Sequence, residues 1–331
     1  MLLYFGSKPV IVASSVDATR AIMKTHDFSV GEYWRQIRSV TVLHLLSNKR
    51  VQSFRHIREE EISNMIEKIR QESDSSSSAI DLRDHFCSLP NNIISRVALG
   101  RKYNERESAI NAEVILDEFV ELLGTFTVGD YISWLEWVNK IAGLDTKLEK
   151  VAKKLDTFLE RVIEEHLIRN EKEENHASEA KDFGDVLLEI QNGNDTGFPL
   201  QRDSLKALIL DNFVAGTDTT YTALEWIMTQ LLRHPRAMEN LQNEVRGLAQ
   251  RKAEVTEDDL GNMHYLKAVV KETLSLQPPI LLVFPRESTE DINLLGYHIA
   301  ARSQVIINAW TIGRDPLSWD DPEGSTNLRD S

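Results

Sequence analysis

Cysteine is almost missing from this chain: its 331 residues hold one, Cys87. A single cysteine closes no internal disulfide, and the chain has no Cys-x-x-Cys and no Cys/His spacing suited to a metal. A reducing compartment fits that usage. A run of about 18 or more apolar residues is missing too, which excludes a transmembrane helix within these residues. The opening Met1-Leu2-Leu3-Tyr4-Phe5-Gly6-Ser7-Lys8 is too short for a span or a signal h-region, so the chain as given is expected to carry no membrane anchor. Positive charge is in deficit, 38 Lys and Arg against 52 Asp and Glu, for a formal charge of -14. Phosphate backbones and anionic lipid repel such a surface, which argues against nucleic acid as a partner. No internal repeat and no strong domain boundary is visible.

What is present is an ordinary globular composition, 41% hydrophobic and 27% charged, on a chain long enough to bury a large core. Two short β-like runs, Leu2 to Phe5 and Val10 to Ala13, flank Gly6, Ser7 and Pro9 and predict a hairpin. Ser15 is placed to cap a helix through Ala18, Ala21, Ile22 and Met23. A second helix starts near Glu32. Val51, Phe54, Ile57, Ile62, Met65, Ile66 and Ile69 recur at helical spacing. Glu72 to Ser78 reads as a serine-rich linker. Leu82 to Leu99, Ala112 to Leu123 and Lys147 to Ile168 predict further helices, with Tyr131, Trp134, Trp137, Val138 and Ile141 as an apolar cluster between the last two. Lys172 to Lys181 reads as a solvated charged loop and Val186 to Ile190 as a short helix. A long helix is expected from Asp203 to Leu232, then others over Ala237 to Leu248 and Asn262 to Leu276, the last ended by Pro278-Pro279. Leu281 to Phe284, Ile292 to Leu295, Tyr297 to Ala300 and Gln304 to Ala309 read as strands. The fold class is mainly α with a small β region.

The stretch Ala215-Gly216-Thr217-Asp218-Thr219-Thr220 works against its own helix. Glycine costs about 1 kcal/mol relative to alanine there, and threonine loses rotamer freedom. Ala215 and Thr219 are one turn apart and share a face. Small residues on that face suit either a flat ligand, with Asp218 and Thr219 relaying protons to it, or a close helix crossing.

That stretch resembles the oxygen-activating segment of the cytochrome P-450 family. Trp34-Arg35-Gln36-Ile37-Arg38 is similar to the family's haem-propionate helix. Lys271-Glu272-Thr273-Leu274, then Pro278-Pro279 and Pro285-Arg286-Glu287-Ser288, is similar to its Glu-x-x-Arg helix and the strand after it. Gly296-Tyr297-His298-Ile299, Ile306-Ile307-Asn308-Ala309-Trp310 and Gly313-Arg314-Asp315-Pro316 continue the match, in wording closest to plant microsomal members. The resemblance implies one cytochrome P-450 domain over residues 1–331, a haem cofactor, and oxygen insertion into small apolar metabolites of plant secondary metabolism. It implies an NADPH-cytochrome reductase as electron donor and the endoplasmic reticulum membrane as location. Asp218 and Thr219 would deliver protons, Ala215 and Gly216 would lie over the haem, and Trp34, Arg38 and Arg286 would hold its propionates, a task suited to the planar guanidinium. Leu281 to Val283 would line the substrate pocket. Cys87 reads as a core residue, and His234, His264 and His298 as structural or surface residues.

The chain also departs from the pattern. The family's Phe-x-x-Gly-x-Arg-x-Cys-x-Gly haem loop is absent. Ser275 stands where the Glu-x-x-Arg arginine belongs, so Glu272 must find other donors, solvent or a proton. The segment between Ser29 and Tyr33 is short, and no anchor precedes the match. The expectation is an incomplete fold without thiolate-bound haem, inactive as given, and cytosolic or of unknown location. The alternatives are a non-catalytic fragment that binds partners, or a product without function.

Overall fold

In this computed structural model the described residues are 1–6, 8–25, 32–75, 79–103, 112–125, 127, 129, 132–173, 181–193, 198–249 and 255–319. They group into two units, Met1–Ser29 with Thr219–Ser331, and Val30–Asp218. The fold is mainly helical with a small β part.

The Val30–Asp218 unit contains no strand among its described residues. Its helices are α2 (Glu32–Val40), α3 (Asn48–Ser53), α4 (Arg55–Ser75), α5 (Arg83–Leu99), α6 (Ala112–Leu123), α7 (Glu136–Ile141), α8 (Leu144–Glu173), α9 (Phe183–Gly193) and the first half of α10 (Arg202–Arg233). On α8 the buried apolar residues are Val151, Leu155, Phe158, Leu159, Val162 and Ile163. That three- and four-residue spacing gives one apolar stripe, and packing of such a face supplies most of a helix's stability. Leu205, Leu208, Ile209 and Phe213 of α10 join the same core, as do Val97, Ala98 and Leu99 of α5. Pro90 sits buried inside α5 without ending it. Gly100, at φ 76°, closes α5 in the left-handed conformation that glycine adopts without strain.

Two expectations change here. The helix expected over Val51 to Ile69 is split at Phe54, which leaves helical geometry and buries its ring edge-on against Phe183, with centroids 5.8 Å apart. The expected linker from Glu72 is helical as far as Ser75, and Glu72 accepts a hydrogen bond from His85 of α5 at 3.0 Å; residues 76–78 lie outside the described residues. Of the expected apolar cluster, Trp134, Trp137 and Ile141 are 76%, 56% and 77% exposed; Tyr131 lies outside the described residues. Most of the expected charged loop, residues 174–180, lies outside them as well.

The other unit carries the sheet. Strand β1 (Leu2–Phe5) pairs antiparallel with β2 (Lys8–Ala13), and helix α1 (Val16–Arg20) follows with Ser15 accepting from the Ala18 amide. Toward the C-terminus come the second half of α10, then α11 (Pro235–Ala249), α12 (His264–Leu276), β3 (Leu282–Glu287), β4 (Ile292–Leu294), β5 (Tyr297–Ile299), β6 (Gln304–Asn308) and α13 (Ala309–Ile312). The four-stranded sheet has the order β1-β2-β6-β3, with β2 and β6 parallel; β4 and β5 form a separate hairpin. Ala13, Ile22, Leu294, Ile299, Val305 and Ile307 make the core of this sheet region. The Glu244 carboxylate of α11 accepts from the Tyr265 and Leu266 amides at 2.8 and 2.9 Å. It thereby satisfies two of the donors left open in the first turn of α12. Among the described residues no helix is long and apolar enough to cross a membrane.

Candidate functional site

Helix α10 runs unbroken through the Ala215–Thr220 segment for 32 residues in all, about 48 Å at the α-helical rise. Ala215 is exposed and Thr219 half-buried. Thr217 donates its hydroxyl to the Phe213 carbonyl at 2.9 Å, the one-turn back-bond by which threonine is tolerated in mid-helix. Gly216 faces elsewhere: a Cβ there would stand 3.4 Å from Cδ1 of Ile94 on α5. Neighbours in a helix are about 100° apart, so Gly216 makes ordinary van der Waals contact with α5 while Ala215 is exposed on another side of the helix. Of the two readings of the segment, helix packing is what the structure shows, at Gly216.

Asp218 shares a small cavity with Cys87 and Asn91 of α5, Leu116, Asp117 and Val120 of α6, and Phe213, Val214 and Thr217 of α10. Its volume is about 30 Å³. Burial, and then the neighbouring Asp117 carboxylate, push the Asp218 carboxyl above its ordinary value. Both effects disfavour the charged form relative to an ordinary aspartate. Asp117 was not singled out from sequence; it lies about a hundred positions away with no shared motif.

On α2 the Arg38 guanidinium stacks over the Trp34 indole, 5.1 Å from the ring centroid, and both side chains are exposed. Among the described residues no carboxylate pairs with Arg38. Arg286 belongs to the other unit, half-buried on β3 opposite Val305, where the β3–β6 register shifts. Near it, Leu281 and Leu282 are 49% and 52% exposed, whereas Val283 packs against the sheet core. Glu272 is buried on α12. The structure thus pairs Trp34 with Arg38 on one helix face and sets Ala215 through Thr219 consecutively on another helix.

The Cytochrome P-450 family profile matches residues 15–324. The chain belongs to the cytochrome P-450 family. Among relatives, it is 65% identical to cytochrome P-450 71A4 of Solanum melongena, over 98% of this chain and 68% of that protein. It is 51% identical to norfluorocurarine oxidase of a Strychnos species, over 98% of this chain and 69% of that one. A zebrafish cytochrome P-450 structure with progesterone superposes with a TM-score of 0.80 at 21% identity, covering 100% of this chain and 81% of that one; that likeness concerns the fold.

Cytochrome P-450 proteins are haem-dependent monooxygenases, and haem makes two demands on its protein. The propionates need cationic or N–H partners, and Arg38 stacked on Trp34 fits, presenting a guanidinium that no described carboxylate neutralises. The iron of a cytochrome P-450 needs a cysteine thiolate. The one sulfur of this kind, Cys87, is half-buried on α5 and faces a cavity of about 30 Å³ beside Asp117 and Asp218. That space admits about a single water and no porphyrin. The residues fit the propionate end of haem and do not fit its iron.

Proposed function

We propose that these residues form the propionate- and oxygen-facing part of a haem monooxygenase for small apolar metabolites, and that the 331-residue chain alone does not carry out thiolate-type monooxygenation. The placement of Cys87 supports the second half of this reading most directly. Trp34, Arg38 and Arg286 hold carboxylates of the cofactor. Ala215, exposed on α10, lies over the flat face of the cofactor. Asp218 and Thr219 deliver protons to the bound oxygen, the Asp218 carboxyl being pushed above its ordinary value. Leu281 and Leu282 present apolar surface to a substrate. Electrons come from an NADPH-cytochrome reductase at the endoplasmic reticulum membrane, as membership of the family suggests.

The test is expression with added haem, then reduction under carbon monoxide, for the native chain and for Cys87→Ser. Both are expected to lack the long-wavelength Soret band of thiolate ligation. A thiolate band in the native chain that disappears in Cys87→Ser overturns the reading. A second reading, a non-catalytic chain that binds partner proteins, is favoured by the exposure of Trp134, Trp137 and Ile141. Saturable binding to a reductase by a chain that takes up no haem supports it.

A further inference from the structure

His166 is buried on α8 with both ring nitrogens engaged. Nδ1 lies 2.7 Å from the Val162 carbonyl oxygen, one turn back. Nε2 lies 2.9 and 3.0 Å from the two carboxylate oxygens of Asp182. Both partners are acceptors. A neutral imidazole carries one N–H, so either tautomer would turn a lone pair on an acceptor; only the imidazolium donates at both ends.

The carboxylate that receives Nε2 is itself held. Asp182 accepts from the Asp185 amide at 3.0 Å, and the Asp182 amide donates to the Asp185 carboxylate at 3.2 Å. These reciprocal bonds close the first turn of α9 as a capping box does. Arg169 of α8 donates to Asp182 at 2.8 Å and to Asp185 at 2.6 and 2.7 Å. Donor atoms of His166, Asp182 and Asp185 converge within 4.8 Å, but Arg169 already supplies the cation that both carboxylates share. Space is closed on two sides. A Cβ at Gly184 would stand 2.6 Å from His166 Nε2, and one at Gly100 would collide with the Asp182 carboxylate.

The other charged groups on the packed elements pair away from the ring. Arg101, beyond α5, donates to Glu165 at 2.8 Å; Arg50 of α3 donates to the Lys181 carbonyl; Lys181 donates to Glu189. Burial disfavours the imidazolium, yet Asp182 and the Val162 carbonyl outweigh it and hold the ring above the ordinary histidine value. Burial likewise works against the Asp182 carboxylate, but His166 and Arg169 keep it below the ordinary range.

We propose that His166 is a proton-gated clamp: as the imidazolium it ties the first turn of α9 to α8, and its deprotonation at alkaline pH releases that turn. The clamp's contribution is complete below the ordinary histidine pKa of about 6.5 and is lost as pH rises through the higher folded-state value. Across that window one proton is released on opening, so the opening equilibrium rises up to about tenfold per pH unit, then levels off.

The test uses the whole chain. Nitrogen-resolved NMR of the His166 ring should show both nitrogens protonated at neutral pH and titration above the ordinary histidine value. Amide exchange of Phe183 to Val186 should accelerate across the same window, beyond intrinsic base catalysis. In Asp182→Asn the ring should titrate at a lower pH, and in His166→Asn the pH-dependent acceleration should vanish. A single neutral tautomer at neutral pH, or an alkaline acceleration that persists in His166→Asn, overturns the proposal. If neither variant folds, the ring titration of the native chain decides alone.

Discussion

Glu61 of α4 is 2% exposed, yet it is the anion of a three-member cluster. It accepts from Arg96 of α5 and from Lys102, both at 2.6 Å, while Arg96 also reaches the exposed Glu60 at 2.8 Å. The side chains of Arg96 and Lys102 keep 22% and 34% exposure. Removing the carboxylate, as in Glu61→Leu, therefore leaves cations that reach water, and Arg96 keeps Glu60. Two charge-assisted hydrogen bonds are lost at about 1.5–3 kcal/mol each, and rehydration holds the total near the low end, about 3 kcal/mol. Removing both cations in Arg96→Met/Lys102→Met strands a buried carboxylate at a cost of about 3–5 kcal/mol. The triple variant strands no charge, and replacing a buried ion cluster with apolar side chains is often nearly neutral. Hydrogen exchange of the α4 and α5 amides reads the effect locally; 3 kcal/mol is roughly a 150-fold change in opening. The expected order of loss is double variant, then Glu61→Leu, then triple variant. A triple variant as unstable as the double refutes the electrostatic reasoning and assigns the cluster's worth to shape.

Three more outcomes are expected. Gly184→Ala places a methyl group 2.6 Å from His166 Nε2, and should cost about 1–3 kcal/mol by overpacking in urea denaturation; no loss would mean that the ring moves aside freely. Asp117→Asn should bring the Asp218 carboxyl down toward its ordinary value, since only burial would still raise it, and carboxyl-carbon NMR titration checks this. Glu160 is drawn down to about 2 by hydrogen bonds from Arg202 and Lys206. A depressed carboxylate stabilises the folded state above its ordinary pKa and loses that contribution as pH falls toward about 2. Glu160→Gln should therefore flatten the acid limb of the stability profile, and an unchanged limb would count against that linkage.

Helix existence was readable wherever an apolar stripe repeats over several turns, as on α8, or where proline stops the chain, as after α12. The split at Phe54 was hidden because Val51, Phe54 and Ile57 keep helical spacing across it. The break comes from burying one ring against Phe183, which is 129 positions on. The Ala215–Thr220 segment stood out by its poor helix propensity, but spacing alone did not separate the exposed Ala215 from Gly216 packed on Ile94. The partners of Asp218 and His166 come from other helices at unrelated sequence distances, so no local pattern announces them. Trp134 and Trp137 read as part of an apolar cluster, and composition alone did not show how exposed they are.

The parallel pairing of β2 with β6, Val10 opposite Gln304, has a consequence for how the protein is born. A chain that grows at about 5–20 residues per second needs roughly 15–60 s to cover that interval. Throughout this time the nascent β1–β2 hairpin has no neighbour on its inner edge, and unpaired strand edges invite pairing with other chains. The helical unit, contiguous from Val30 to Asp218, is fully synthesised long before β6 leaves the ribosome. The β1–β2 hairpin waits for β6 whereas the helical unit does not, so the risk of mispairing during synthesis falls on Leu2 to Ala13 rather than on the helices.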